Sequence, residues 1–147
     1  MKRAAILLLL LAGSSGAART QTAPVLPRDW LPALAPSIRS ALEQLKEANS
    51  QAEMNRLSRE VADMTDAQLF IAYVRLYEVL GPKERTALVA EQTKWLKARV
   101  KAAEDGIESE GGSLAPLEAN NAEVTFTEKR LAELRARLKA APKKSKS

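Results

Sequence analysis

Apolar residues recur at helical spacing along most of the chain, and no segment alternates at the period of a strand. Leu69, Tyr73, Leu76 and Leu80 are 4, 3 and 4 positions apart, the a/d spacing of a helix lying on another helix. A second segment carries Leu88, Gln92, Trp95 and Arg99 on one stripe, with Val89, Leu96, Val100 and Ala103 beside it. A third presents Val124, Leu131, Leu134 and Leu138, and a shorter stripe of Ile38, Ala41, Leu42 and Leu45 precedes them all. The pattern predicts an all-α fold: an antiparallel helical hairpin plus a third helix, a small bundle, with a short helix over 37–46 ahead of it.

Local punctuation sets the expected boundaries. Ser50 and Glu53 form an S-x-x-E capping box, so the first long helix begins near Gln51. Thr65 and Gln68 offer a second capping pair and hence a break or kink; one continuous helix is preferred. Gly81 and Pro82 end one helix and open the next, because glycine tolerates a left-handed cap and proline suits a first helical position. So short a connection implies antiparallel neighbours. The second long helix is expected over 83–104, a loop over 105–115 and the third helix over 116–140.

The first residues have a different character. Met1, Lys2 and Arg3 precede an apolar run from Ala4 to Ala12 and then the small residues Gly13 to Ala18. This predicts a secretory signal peptide over 1–18, cleaved after Ala17 or Ala18. At about 1.5 Å per residue the run covers less than half of a hydrocarbon core roughly 30 Å thick, which disfavours an uncleaved anchor. Position 14 is serine, so the lipid-bearing cysteine of a lipoprotein signal is absent. Residues 19–36 contain four prolines and read as a linker or extended arm that Trp30 and Leu31 dock on the body. The helical domain is expected over 37–141, and the tail "PKKSKS" over 142–147 is basic and without an apolar anchor, hence expected to be disordered.

Composition narrows the chemistry. An apolar content of 46 % over 147 residues supports one domain of ordinary core size. The absence of histidine and cysteine removes the usual general base, the thiolate nucleophile and the common zinc and copper ligands. No phosphate-binding glycine loop or dinucleotide fingerprint is present. A protein that is not an enzyme, with no cofactor and no metal, is therefore expected. The acids Glu104, Asp105, Glu108 and Glu110 lack the alternating ligands of a calcium loop and read as solvated. Signal cleavage brings the formal net charge of +5 down by two, and Lys143, Lys144 and Lys146 of the tail hold much of the remainder. Nucleic-acid binding would need a concentrated basic face, and membrane contact is peripheral if there is any.

A spaced set of residues runs through the helical region: Ala48, Glu53, Met54 and Asn55; Asp66, Leu69, Tyr73 and Leu76; Leu88, Gln92, Trp95 and Arg99; Gly111, Gly112 and Ser113; Thr127, Arg130, Glu133 and Leu134. In this order, over about 45–134, the chain resembles the lysozyme-inhibitor LprI-like N-terminal domain found in exported bacterial proteins. The resemblance implies a secreted or periplasmic helical protein whose partner is an envelope or extracellular macromolecule, with lysozyme as the sharper version. The alternative is envelope-surface attachment through the basic tail and the proline-rich arm. Family members typically carry four cysteines, and the aligned positions here are Leu45, Leu57, Ala103 and Ala122. An aspartate usual after the helix-two arginine is Val100, and an asparagine usual after Leu69 is Phe70.

If both pairs, 45 with 57 and 103 with 122, remain neighbours, side-chain packing must replace two bridges. A disulfide closing a loop of this size contributes about 3 kcal/mol in the chain-entropy model, and burying a leucine contributes about 1.5–3 kcal/mol.

The candidate binding or structural motif is Asp66, Tyr73, Gln92, Trp95, Arg99, Gly111, Gly112, Ser113, Thr127, Arg130 and Glu133. Gln92 and Arg99 share a stripe with Leu88 and Trp95 and so point at a partner helix. They form either a recognition patch or, as preferred here, a structural pair in which Arg99 meets Asp66 or Glu133 while its stem packs on Trp95. Ser113 is expected to cap the third helix, Gly111 and Gly112 to supply positive φ angles, and Tyr73 and Tyr77 to rim the core.

Overall fold

A computed structural model describes residues 34–109 and 112–141. It contains four helices: α1 (Leu34–Glu47), α2 (Gln51–Val79), α3 (Pro82–Asp105) and α4 (Ala115–Ala140). The fold is all-α, as the spacing predicts. The expected signal peptide, the arm up to residue 33, Glu110, Gly111 and the basic tail lie outside the described residues.

The ends of the helices follow local chemistry. The Ser50 hydroxyl accepts from the Glu53 N–H at 3.2 Å, which caps α2. Thr65 does not interrupt α2; its hydroxyl donates to the Val61 carbonyl at 2.8 Å and the helix continues to Val79. At the hairpin turn Leu80 is the C-cap of α2 and Gly81 is extended, not left-handed as expected, because it serves as the N-cap of α3: its N–H donates to the Glu84 carboxylate at 2.9 Å, and Pro82 opens α3. α1 starts at Leu34, three residues ahead of its sequence-based boundary, because Pro36 falls in the first turn, where its missing N–H has no helical partner to lose.

The core lies between α2, α3 and α4. Leu69, Ala72, Leu76, Leu88, Leu131 and Leu134 form one buried cluster, with Tyr73, Leu80, Trp95 and Leu138 packed at its edge. α4 packs along α2 and also on α3, while α1 lies on α2. The two arms of the α2–α3 hairpin are thus joined mainly through α4. Val89, Leu96 and Val100, which share the apolar character of α3, are exposed instead of buried.

Candidate functional site

Three groups of polar side chains tie the helices together, and the middle one holds the α3 stripe. Arg99 on α3 reaches Asp66 on α2, with one guanidinium nitrogen 2.5 and 2.6 Å from the two carboxylate oxygens. Its other terminal nitrogen pairs with Glu123 of α4 at 2.8 Å. The Thr127 hydroxyl donates to Asp66 at 3.4 Å, and the Arg99 guanidinium lies over the Trp95 ring at 5.5 Å. Trp95 stacks on Phe126 of α4, centroids 5.8 Å apart. One arginine therefore joins three helices, and its charge is matched by two carboxylates where it is largely shielded from water.

A second group sits nearer the hairpin turn. Arg130 of α4 is buried, donates to Gln92 at 3.2 Å, and pairs with Glu133 at 3.0 Å and Glu91 at 3.4 Å. Arg137 binds Glu91 at 2.6 Å, and that hydrogen bond holds the Glu91 carboxyl below its ordinary range, against the opposing effect of burial. Tyr73 borders the core, and burial raises its phenol above the ordinary value.

The third group braces the α3–α4 loop. The Glu118 carboxylate accepts from the backbone N–H groups of Glu108 and Ser109, each at 3.1 Å, and from the Ser109 hydroxyl at 2.7 Å. These bonds, the Ser109 hydroxyl foremost, hold Glu118 below the ordinary carboxylate range. On the other side the Asn55 amide donates to the Ser113 carbonyl at 2.9 Å, and Asn120 donates to the Ser58 hydroxyl at 2.9 Å. Backbone proximity adds to this. A Cβ built at Gly106 would stand 2.3 Å from the Ala122 Cβ and 3.5 Å from the Ala103 carbonyl. The end of α3 at Gly106 thus lies directly against Ala122 of α4, and the loop is closed by side-chain hydrogen bonds and close helix approach.

The site residues expected from sequence divide accordingly. Asp66, Trp95, Arg99 and Thr127 meet in the first group, and Gln92, Arg130 and Glu133 in the second. The preferred pairing of Arg99 holds for Asp66, while Glu133 pairs with Arg130. Gly112 has φ of 100° as expected. Ser113 does not cap α4: Leu114 is the N-cap, and its carbonyl accepts from Leu117 and Glu118. Sequence reading missed Glu123, although Glu123, Thr127, Arg130 and Leu134 repeat the 4, 3, 4 spacing. It also missed Glu118, whose role depends on where the loop folds.

A sequence profile for the family described as lysozyme inhibitor LprI matches residues 42–134. The chain belongs to the LprI family. That stretch takes in the polar groups just described except Arg137: it covers α2, α3, most of α4 and the C-terminal part of α1. No curated protein and no solved structure matches this LprI-family chain. Its described residues bring together no cluster of three or more potential metal ligands, and none of their helices is long and apolar enough to cross a membrane.

Proposed function

We propose that this LprI-family protein is an exported, non-catalytic module that binds a lysozyme-type muramidase and restrains it by occupying its surface. Family membership supports the choice of target. The observation that carries the mode of action is the braced α3–α4 loop. Glu118 and Asn55 hold its backbone from both sides, while Glu104 and Glu108 remain exposed. Backbone fixed before binding, as at Glu108, Ser109 and Ser113, loses little conformational entropy on docking, and the neighbouring carboxylates offer a local complement to a basic enzyme. The protein's net positive charge gives no long-range attraction to such an enzyme, so recognition is local and contact-driven.

The polar groups of the bundle support a scaffold role. Asp66, Arg99, Glu123, Gln92 and Arg130 are bonded to one another across helices. They brace the loop's supports and are not held ready for a substrate. The test is a cell-wall lysis assay with a basic animal-type lysozyme and increasing mature protein. Lysis should fall, the double change Glu104→Gln with Glu108→Gln should weaken inhibition about tenfold, and added salt should weaken it too. Undiminished lysis at large molar excess overturns the reading. Sedimentation with cell-wall or anionic vesicles, lost when the tail is removed, would favour envelope attachment.

A further inference from the structure

Asp66, Arg99 and Thr127 meet at one level of the bundle, and the charges of α2, α3 and α4 divide there. On the side of the Gly81–Pro82 turn, residues 67–98 and 128–140 hold ten cations and five acids. On the side of the α3–α4 loop, residues 51–65, 100–109 and 112–126 hold three cations and eight acids. The bundle therefore has a basic end and an acidic end. Helix dipoles explain part of this, since Arg137 and Lys139 sit in the last turn of α4, where cations are stabilising. They do not explain Lys83, which stands in the first turn of α3, where a cation is disfavoured. Lys83, Lys94 and Lys97 are exposed, and none is bonded to another described residue.

The basic end also has a receptive surface. Tyr77, Pro82, Arg85, Thr86, Val89 and Ala90 line an open hollow of about 530 Å³ beside the turn, and its one charged group is Arg85. Arg85 Nε donates to the Tyr77 carbonyl at 2.8 Å and Nη2 to the Glu78 carbonyl at 3.1 Å, with the guanidinium 4.9 Å from the centre of the Tyr77 ring. These contacts fix the fork and leave its Nη1 hydrogens for an oxyanion. Lys83, Lys94 and Lys97 share the side of α3 on which Ala90 closes the hollow. Apolar surface accompanies the charge: Tyr77 and Val79 are each 38 % exposed and Val89 45 %.

We propose that this turn end docks on the headgroup layer of an anionic lipid bilayer, with the loop end turned away from it. A soluble polyanion would answer the cations and leave Tyr77, Val79 and Val89 in water. A bilayer interface takes both, the tyrosine and valines at headgroup depth with lysines around them. Repulsion between the lipid phosphates and Glu104, Asp105 and Glu108 sets the orientation. None of the described helices crosses a membrane, so the contact is peripheral. α4 ends on the turn side, and the sequence beyond it adds Lys143, Lys144 and Lys146 to the attraction.

Flotation of the mature protein with vesicles of phosphatidylcholine, alone or with about one third phosphatidylglycerol, tests this with no muramidase present, so its outcome is independent of the inhibitory reading. The protein should float only with the anionic vesicles, less so in added salt, and should still float when it ends at Ala141. Lys83→Glu with Lys97→Glu, both at exposed positions, should keep the helical spectrum and weaken partitioning at least about tenfold. Lys46→Glu with Lys101→Glu makes the same change in net charge away from this end and should weaken it less than about threefold. Because the chain has no cysteine, Ala90→Cys and Ile107→Cys each accept one environment-sensitive dye, which should shift to the blue on vesicles at position 90 and not at 107. Flotation with pure phosphatidylcholine, none with anionic vesicles, loss of binding on removing the tail alone, or equal losses from the two double variants overturns the proposal. So does equal binding to soluble polyphosphate with no blue shift at position 90, since the end would then belong to a polyanion in water.

Discussion

α3 turns its more polar side inward and its more apolar side outward. The inner stripe of Leu88, Gln92, Trp95 and Arg99 has one fully buried aliphatic residue, yet it is the one that packs. The outer stripe of Val89, Leu96 and Val100 is more apolar and remains in water. The difference lies in what faces each side. α4 presents Glu123, Phe126 and Arg130 along the inner stripe, so every polar group there finds a partner. No buried side-chain nitrogen or oxygen among the described residues lacks a hydrogen bond. The outer stripe has no facing helix within the chain. Hydrophobicity ranks the two stripes one way and available partners rank them the other, and the partners decide.

The comparison can be broken at several points. Truncation in the inner cluster has the largest expected effect: Leu134→Ala should lower unfolding free energy by about 2–5 kcal/mol in urea titration, because Leu134 has no exposed surface. Covalent closure comes next. Ala103→Cys with Ala122→Cys should oxidise to an intrachain bridge and raise stability by about 3 kcal/mol; free thiols after oxidation would show that the two positions expected to be neighbours are not. Gly106→Ala should cost about 1–3 kcal/mol through overpacking against Ala122. Adding Ala122→Gly should recover much of that loss, by coupling between touching residues.

The pH dependence is smaller and has a definite sign. Glu91 and Glu118 are both held below the ordinary carboxylate value of 4.5. Their contribution is complete above that value and is lost as pH falls through their folded pKa values. Protection of the Glu108 and Ser109 amides, relative to their intrinsic exchange rate at each pH, should fall on acidification below about pH 4.5, and Glu118→Gln should show low protection already at neutral pH. Protection independent of pH would mean that Glu118 does not hold the loop.

Much of this fold was legible in the sequence, because helix spacing, the Ser50 cap and the Gly81–Pro82 turn are local features. The pairing of Arg99 with Asp66 was legible for a related reason: a charge on an inward stripe requires a carboxylate on a neighbouring helix. What sequence did not give depended on which helices meet. Gly81–Pro82 indicates antiparallel arms but not that α4 joins them, so Glu123 was missed and the outward turn of Val89, Leu96 and Val100 was not foreseen. Ser113 has the chemistry of a cap, yet its backbone carbonyl is taken by Asn55 and Leu114 occupies the cap position. The loop's closure by Glu118 lay equally out of reach, since it rests on a fold-back of the chain between α3 and α4.

The most direct measurement sets the two faces of α3 against each other by urea unfolding. Arg99→Ala leaves Asp66 and Glu123 facing each other without their shared cation and should cost about 2 kcal/mol. Val100→Ala, one residue away and more apolar, should change stability by less than about 0.5 kcal/mol. Equal losses, or a larger loss at Val100, would contradict the account.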